Sequence, residues 1–424
     1  MERKNIAPGV RLFTHNTAQF KNAVVSLNIT APLDGDTSAR ALLIHLLART
    51  SKDYPTVYEM NRKLAALYGA GLSASVKKIG EAQVLSLVLV CLDDRFALKG
   101  ESVLSEATEL LLNALLRPDI APDGFREENV SREKRLLIEK IDSERDDKRV
   151  YALTRMTEEM CRDEFYGTDR LGSRDVISSL DGKELFRVWK DMLFTCPIQI
   201  NITGNFDKSE AEKLFADRFN ALGRKEEDLL EIRTEFISEA YESKTITEKQ
   251  KVKQGKLVIG MRAGMTYDGD NFPALKIMTA IFGSGTFSKL FMNVREKMSL
   301  CYYCSARLID SKGIITVESG VETENAYKAL EAIRNELNAV RSGDFSDEII
   351  NQAKLSITDS YKSFTDSVLY TDMWATMQVN KPDFLTPDDY ADMMKNVSRE
   401  EIIVAANMVT EDTVFILESE KEAE

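Results

Sequence analysis

The stretch ARALLIHLLARTSKDYPT, residues 39–56, decides how this chain is interpreted. Its first half is apolar on almost every side of a helix, which is typical of a helix buried in a large core. It then enters a charged turn that contains a proline. The helix carries His45, one of only two histidines in the chain. Because a buried imidazole needs a hydrogen-bond partner or serves as a ligand, the surroundings of His45 bear directly on function.

Length and charge set the outer limits of the interpretation. With 424 residues the chain exceeds one hydrophobic core, so we expect two domains. A net charge of -13 disfavours nucleic acid and anionic membrane surfaces as partners. No stretch approaches the roughly 20 consecutive apolar residues of a membrane span. The first residues contain no apolar signal core, so we expect a cytoplasmic protein.

The five cysteines are scattered through apolar surroundings, as expected for reduced thiols. They are Cys91, Cys161, Cys196, Cys301 and Cys304. Only the CYYC string of residues 301–304 has a suggestive spacing. Its flanks predict a β-strand, in which positions three apart point to opposite faces. We therefore expect two strand cysteines and keep a redox or metal-binding pair as the alternative.

The order of predicted elements repeats along the chain. The first half reads as a hairpin over residues 9–30, a buried helix, an amphipathic helix, two strands, long helices and a further strand. Residues from about 215 to 250 are rich in charge and lack a sustained period, which indicates a connection between domains. The same order then returns, and its closest echo pairs EMNRKLAALYGA with FMNVREKMSLCYY. This pattern predicts an internal duplication of a whole domain.

The predicted fold class is α+β, because strands joined by short turns are mixed with long helices rather than alternating with them. Each copy is expected to form an antiparallel-rich sheet with helices packed on one side. We assign residues 1–215 to the first domain, 216–250 to a linker and 251–424 to the second domain. The two copies are expected to face each other across a cleft.

Several strings resemble the M16 family of pitrilysin- or insulinase-like metallopeptidases, and the resemblance extends over essentially the whole chain. In that family the first buried helix carries an inverted zinc motif, H-x-x-E-H, followed by a turn of a basic residue, Gly and Thr. HLLARTSKDYP fits this segment with His45 at the second histidine. Ala41 then occupies the first histidine position, and Ile44 replaces the glutamate that serves as general base.

The third zinc ligand of the family is a glutamate in a later helix, which the string EKRLLIEK matches. With Glu133 on the first glutamate of that motif, the ligand position falls on Lys140, and a shift by one residue would place Glu139 there. A zinc peptidase needs about three protein ligands. The resemblance therefore implies that this chain holds no metal and that His45 is a packed, hydrogen-bonded core residue. The other histidine, His15, is expected in an exposed turn.

The second half retains more of the family pattern. FGSGTFSKLFMNVREKMSLCY resembles the family segment that ends in Arg-Glu-Lys-x-Gly-Leu-x-Tyr, with Arg295 and Tyr302 on the Arg and Tyr and Ser299 in place of the Gly. In the family this pair binds substrate near the scissile carbonyl. The resemblance thus implies that Arg295 and Tyr302 are the catalytic site residues here. Without it, Arg295 would be a surface charge and Tyr302 a core aromatic residue of a strand.

Some M16 members work as pairs in which one chain carries zinc and the other keeps only the Arg/Tyr pair. The strings KLAALYGAGLSASVKKIGEAQVLSL and DDKRVYALTRMTEEM further resemble the zinc-motif-lacking M16-like proteins associated with aminopentanol modification of elongation factor P. The resemblance implies a subunit that is inactive alone, binds no cofactor, handles a peptide substrate and relies on a zinc-bearing homologue. A homodimer of the isolated chain is compatible with it.

Two alternatives stay open at this point. One is a structural or regulatory scaffold that keeps the M16 fold without processing peptides. The other is a self-sufficient zinc peptidase with unusual ligands.

Overall fold

The computed structural model describes residues 1–420. The strands are β1 Glu2–Ala7, β2 Val10–Asn16, β3 Asn22–Pro32, β4 Gly71–Ile79, β5 Ala82–Leu92, β6 Ile120–Ala121, β7 Gly124–Phe125, β8 Ile198–Gly204, β9 Lys244–Gln250, β10 Gly255–Arg262, β11 Cys301–Ile309, β12 Ile314–Val321 and β13 Thr410–Ser419. The α-helices are α1 Thr37–Leu47, α2 Val57–Ala66, α3 Val103–Leu116, α4 Glu127–Asp146, α5 Lys148–Met160, α6 Arg174–Ser179, α7 Gly182–Thr195, α8 Lys208–Asn220, α9 Phe272–Gly283, α10 Ala326–Arg341, α11 Asp347–Lys362, α12 Val368–Thr376, α13 Pro387–Lys395 and α14 Arg399–Met408. A π-helix covers Leu290–Lys297.

The chain forms two compact units, each built from pieces of both halves of the sequence. Unit 1 comprises Met1–Ile141, Thr168–Arg233 and Ser363–Thr386, and unit 2 comprises Asp142–Gly167, Thr234–Lys362 and the chain from Pro387 onward. The predicted domains, residues 1–215 and 251–424 with the linker 216–250, follow the order of the duplication. Each compact unit also includes one short segment from the other half of the chain. The segment 216–250 begins in the last turns of α8 and ends with β9.

Unit 1 is organised around a six-stranded sheet with the order β1-β2-β8-β3-β5-β4. β8 pairs in parallel with β2 and antiparallel with β3, so it lies between them. The predicted hairpin over residues 9–30 is therefore wrong, although both of its strands form. Alternating polar and apolar residues indicate a strand but do not identify its partner.

Unit 2 repeats this topology. Its five-stranded sheet has the order β11-β12-β10-β13-β9, which matches β4-β5-β3-β8-β2 strand for strand. The parallel pair also recurs, because β9 and β13 run in the same direction as each other. The predicted α+β fold with a duplicated domain is confirmed. The matched residues of the two copies are less alike in their environments, since Met60 is buried and Met292 is 50% exposed.

Helices α1 and α3 pack on one face of the first sheet. Leu27 and Ile29 of β3 point to this face and join the same core cluster as residues of both helices. Every residue of α1 except His45 is buried, which confirms the prediction of a helix surrounded by core. Each large aliphatic side chain buried here contributes about 1.5–3 kcal/mol through the hydrophobic effect.

The opposite face of the first sheet is covered by α12, which packs on β3 and β8. Ser26 and Asn28 alternate with the apolar residues of β3 and so point to this second face. The Ser26 hydroxyl donates to Asp372 Oδ1 of α12 at 2.5 Å, and Asn201 Nδ2 donates to the same oxygen at 3.1 Å. Burial raises the pKa of the Asp372 carboxyl above its ordinary value.

In unit 2 the equivalent face is covered by α5, which packs on β10 and β13. Gly260 lies at the centre of β10, where an added Cβ would stand 2.5 Å from the sulfur atoms of Met156 and Met160. The glycine therefore lets the helix lie close to the strand. Helices α9 and α10 pack on the other face of this sheet. Each sheet thus has an α-helix on both faces, one more layer than the sequence indicated.

A buried ion cluster, composed of Glu164, Arg262, Lys312 and Asp412, fixes the chain just after α5 to this sheet. Glu164 Oε1 accepts from Arg262 at 2.7 Å, and its Oε2 lies 2.6 Å from Lys312 Nζ. Arg262 also donates to Asp412 Oδ2 at 2.8 Å. The side chains of Glu164, Arg262 and Lys312 are at most 2% exposed. Charges this deeply buried are stable only when they are paired.

Candidate functional site

The π-helix of unit 2 determines where Arg295 points. Its buried residues Leu290 and Val294 anchor it to the core. Asn293 Nδ2 donates to Glu336 Oε2 of α10 at 2.8 Å. This hydrogen bond fixes the orientation of the π-helix about its own axis. Arg295 is left on the open side of the helix, with 37% of its side chain exposed. π-Helical turns are rare and often occur at functional sites.

Ser299 connects this helix to β11 with φ of 52°, in the left-handed region. Tyr68 occupies the same place after α2 in unit 1, with φ of 57°. An L-residue pays about 1–2 kcal/mol for this conformation, which glycine adopts freely. The geometry therefore explains why the family pattern has Gly at the position of Ser299.

We expect Ser299→Gly to raise the free energy of unfolding by up to about 1 kcal/mol, because relief of the backbone strain exceeds the added entropy cost of glycine. Urea unfolding followed by circular dichroism measures the change. The matched control is Ser305→Gly within β11, which should lower stability by about 0.5–1 kcal/mol since no strain is relieved there. A loss of stability in both variants would contradict the prediction.

A β-bulge at the start of β11 exposes Tyr302. Cys301 lies opposite Val321 and Tyr303 lies opposite Gly320, so Tyr302 is the extra residue between them. Its side chain is 61% exposed, so it is not a core aromatic residue. The bulge therefore redirects this side chain out of the sheet.

The structure brings Arg295 and Tyr302 together through the backbone. Arg295 Nε donates to the Tyr302 carbonyl oxygen at 3.0 Å. Its guanidinium group lies 4.6 Å from the centre of the Phe291 ring, and Nη1 is 3.0 Å from Glu296 Oε1. These contacts hold the side chain in one orientation and leave part of it open to a ligand.

The phenol of Tyr302 has a partner that the sequence did not indicate. Its hydroxyl donates to Glu322 Oε1 at 2.7 Å. This hydrogen bond to a carboxylate raises the pKa of Tyr302. In this conformation the phenolic proton is therefore engaged with Glu322, and a substrate oxygen would have to replace that carboxylate.

In unit 1, the helix that resembles the zinc motif now serves packing. Ala41 and Ile44, at the positions of the first histidine and the catalytic glutamate, are both 0% exposed and belong to the core cluster. His45 is partly buried, and its Nδ1 donates to the Ala41 carbonyl oxygen at 2.7 Å. Burial lowers the pKa of His45, so the neutral imidazole is favoured. Its hydrogen bond agrees with the sequence prediction, but its burial is incomplete.

The surroundings of His45 do not fit zinc. The charge of Lys140 lowers the pKa of His45 and that of Glu133 raises it, so both side chains act on the imidazole, as the resemblance to the family motif implies. Glu133 is occupied by Arg132 at 3.1 Å and Arg49 at 3.6 Å. A lysine at a ligand position opposes a divalent cation. Within residues 1–420, no group of three His, Cys, Asp or Glu side chains is arranged to hold a metal ion.

The remaining candidates contribute no ligand. Glu139 pairs with Arg135 at 3.4 Å on the exposed side of α4. His15 lies within β2, opposite Thr203 of β8, rather than in an exposed turn. That prediction is wrong because the strand continues past the point where the hairpin was expected to turn.

A cavity of about 620 Å³ in unit 1 lies beside β2 and is lined in part by Arg3, Arg11 and Leu230. Arg3 donates to the carbonyl oxygens of Gln378 and Lys381 at 2.8 Å, and Arg11 donates to the latter at 3.3 Å. Both guanidinium groups therefore bind carbonyl groups that follow α12. The cavity contains none of the residues that the sequence singled out.

Cys301 and Cys304 lie on the same face of the sheet, contrary to what their spacing in the sequence predicts. Because of the bulge, their partners are Val321 and Ser319, which are two residues apart on β12 and share one face of the sheet. The two cysteines therefore also share a face, where the Cys304 side chain lowers the pKa of Cys301. The expectation that they point to opposite faces is wrong, and the spacing alone gave no sign of the extra residue.

Comparison with known proteins agrees with this geometry. A family model described as the peptidase M16 inactive domain matches residues 198–357. A relative from Bacillus subtilis (strain 168), named probable inactive metalloprotease YmfF, is 30% identical over 423 residues, covering 98% of this chain and 97% of that protein. The chain belongs to the M16 peptidase family. The segment matched by the model includes the π-helix and β11 of this M16 chain.

Solved structures agree on the M16 fold. The crystal structure of a conserved protein from Enterococcus faecalis V583 superposes with a TM-score of 0.91 at 25% identity, covering 100% of this chain and 99% of that one. The peptidase M16 inactive domain from Pseudomonas fluorescens gives 0.81 at 15% identity, with coverage of 100% and 99%. The resemblance to an inactive M16 protein is thereby confirmed, whereas the link to elongation factor P stays a prediction. In the described part of this M16 chain, no helix combines the length and apolarity needed to cross a bilayer.

Proposed function

We propose that this M16 chain is the subunit without zinc in a two-chain peptidase, and that it contributes Arg295 and Tyr302 to a partner that carries the metal. The observation that carries the proposal is an asymmetry between the two copies of the domain. The positions of the metal ligands in unit 1 have become core and cationic residues. In unit 2, by contrast, a π-helix and a β-bulge still present the Arg/Tyr pair to solvent.

The chemistry of the pair suits peptide handling. An exposed guanidinium can bind a substrate carbonyl or carboxylate through two parallel hydrogen bonds. A phenol can donate to the oxyanion that develops when the peptide carbonyl is attacked. Tyr302 would do so after exchanging Glu322 for the substrate oxygen. Metal and general base belong to the proposed partner, because the residues around His45 fit neither role.

Other features support the setting of this proposal. The net charge of -13 argues against nucleic acid as the ligand. All five cysteines are free thiols, which agrees with a cytoplasmic protein. An association with the modification of elongation factor P would give the pair its biological context.

We expect Arg295→Ala to lower kcat/KM of the mixed complex for peptide cleavage by about 10–100-fold while leaving the complex assembled, since a hydrogen bond to a charged group contributes about 1.5–3 kcal/mol. Tyr302→Phe, which removes only the hydroxyl, should lower kcat more than it raises KM. The chain is co-expressed with its zinc-bearing M16 homologue, and cleavage of a quenched fluorescent peptide is measured. The control is Arg307→Ala, which changes an exposed arginine on β11, the strand that carries Tyr302.

The same preparation separates the alternatives. Size-exclusion chromatography with metal analysis should give a mixed dimer with about one zinc, active only as the pair. Normal cleavage by an assembled Arg295→Ala complex would favour the structural or regulatory scaffold. An isolated chain that binds zinc and cleaves peptide would favour the self-sufficient enzyme. A chain that never joins the homologue, as monomer or homodimer, would overturn the proposal.

A further inference from the structure

We propose that Cys301 and Cys304 form a redox-active dithiol, in which a hydroperoxide oxidises Cys301 and Cys304 resolves the product to a disulfide within β11. The proposal assigns a modification site that the M16 peptidase chemistry does not use. The geometry of the strand carries it.

The bulge that exposes Tyr302 creates the pair. In a regular strand, residues three apart lie on opposite faces and their thiols cannot meet. Here the extra residue restores the two cysteines to one face, opposite Val321 and Ser319. Two regular strand positions span about 6.6 Å between Cα atoms, near the upper end of the roughly 4.4–6.8 Å seen across disulfides. A small contraction of the bulge would therefore bring the sulfur atoms within bonding distance.

The two thiols differ in the way that an attacking and a resolving cysteine should. Cys301 is partly exposed, whereas Cys304 is only 4% exposed. Hydrogen bonds from Cys304 and Ser319, together with the positive charge of Arg295, lower the pKa of Cys301 despite its partial burial. The thiolate is the nucleophilic form, so peroxide should react first at Cys301.

The other cysteines provide an internal contrast. Cys91 and Cys161 are buried, and burial raises the pKa of each to about 12. Burial likewise raises the pKa of Cys196 to about 11. Buried thiols with raised pKa values are inert toward free peroxide. Cys304 is also buried, and its hydrogen bond with Cys301 raises its pKa, so it reacts only with the oxidised sulfur of Cys301 beside it. Two of the five thiols should therefore react, and they should be the two in β11.

The chemistry balances with hydrogen peroxide as the oxidant. The Cys301 thiolate attacks one peroxide oxygen, the O–O bond breaks, and hydroxide leaves to take up a proton as water. The resulting sulfenic acid is attacked by the Cys304 sulfur, which forms the S–S bond and releases a second water after the Cys304 proton is transferred. Two thiols are oxidised by two electrons, and one peroxide is reduced to two waters.

Oxidation would also affect the Arg/Tyr pair. Tyr302 sits within the closed loop, and its carbonyl oxygen holds Arg295. Contraction of the bulge would therefore move both residues. This consequence, unlike the disulfide itself, rests on the proposed function. The two are separable because the thiol chemistry is measured on the isolated chain without any partner or peptide.

The experiment treats the reduced full-length chain with stoichiometric hydrogen peroxide. We expect thiol titration of the unfolded product to fall from five to three, with a mass loss of about 2 Da and a disulfide-linked peptide containing residues 301–304. Cys304→Ser should trap a dimedone adduct on Cys301, and Cys301→Ser should keep its four thiols under the same treatment. A circular dichroism spectrum close to that of the wild-type chain confirms that each variant is folded.

A second measurement needs no variant. Phenylarsine oxide bridges two neighbouring thiols, so the reduced wild-type chain should bind one equivalent and lose reactivity at both cysteines of β11. No bound arsenical, or oxidation of Cys301 straight to a sulfinic acid without a disulfide, would overturn the proposal. If peroxide removed two thiols from the Cys301→Ser variant, as it does from the wild-type chain, that result would overturn the proposal as well.

Discussion

Replacing Glu164 by alanine is expected to lower the free energy of unfolding by about 3–5 kcal/mol, since the change leaves buried charges without their partner. Arg262 and Lys312 both bind this carboxylate inside unit 2, and Lys312 is only 1% exposed. Burial by itself disfavours the charged carboxylate, but the hydrogen bonds from the two cations outweigh it, so the pKa of Glu164 is lowered. Alanine would remove the carboxylate that both cations share: Arg262 would keep its hydrogen bond to Asp412, whereas Lys312 would lose its ion pair with Glu164.

Chemical unfolding of the purified chain measures the loss. The matched control is Asp163→Ala, at the exposed neighbouring position, which should change stability by less than about 0.5 kcal/mol. The lowered pKa also predicts a pH effect. The stabilisation from Glu164 is present above the ordinary glutamate pKa of about 4.3 and is lost as the pH falls toward the lower folded value. A Glu164→Ala variant as stable as Asp163→Ala would show that the buried ion cluster does not contribute to the free energy of unfolding.

Ile44→Glu, which restores the residue type of the catalytic base in the M16 motif, is expected to cost about 4 kcal/mol at pH 7. The side chain is 0% exposed, so the introduced carboxyl must stay protonated to remain buried. Protonation at pH 7 costs about 1.36 kcal/mol for each unit above an ordinary glutamate pKa of about 4.3. Zinc should not recover the loss, because Ala41 and Lys140 occupy the ligand positions.

Thermal unfolding with and without added zinc tests this second expectation. Ile44→Leu conserves the volume and should cost less than about 1.5 kcal/mol. The deficit of the Glu variant should be smaller at pH 5 than at pH 7, because less free energy is needed to protonate the carboxyl there. A Glu variant of normal stability, or one that zinc stabilises strongly, would mean that a usable metal site survives around His45.

The parts of the fold that the sequence predicted well depend on local pattern. The apolar helix around His45, the strand pairs β4/β5 and β11/β12, and the repetition of element order are all encoded in neighbouring residues. The apolar residues Ala41 and Ile44 at two positions of the zinc motif can likewise be read directly from the sequence. Arg295 and Tyr302 are predicted as site residues only through the family resemblance, since neither residue type is unusual in a helix or a strand.

The parts that failed depend on distant chain segments or on a single inserted residue. The polar residues Ser26 and Asn28 have the alternation of a solvent-facing side, yet α12 covers them from more than three hundred residues away. β8 enters between two strands that are neighbours in sequence. At Tyr302 one extra residue reverses which side chains share a face. Propensity and periodicity carry no information about such events.

The exchange of α5 and α12 between the two halves of the chain has an evolutionary consequence. A gene encoding one copy of the domain would give a protein with one face of its sheet uncovered, because the helix that covers this face comes from the other half of the chain. Such an ancestor could bury that face only by trading helices with a second molecule of itself, as in domain swapping. Gene fusion would then have turned an obligate homodimer into one polypeptide. Once joined, the two copies would have been free to diverge in sequence.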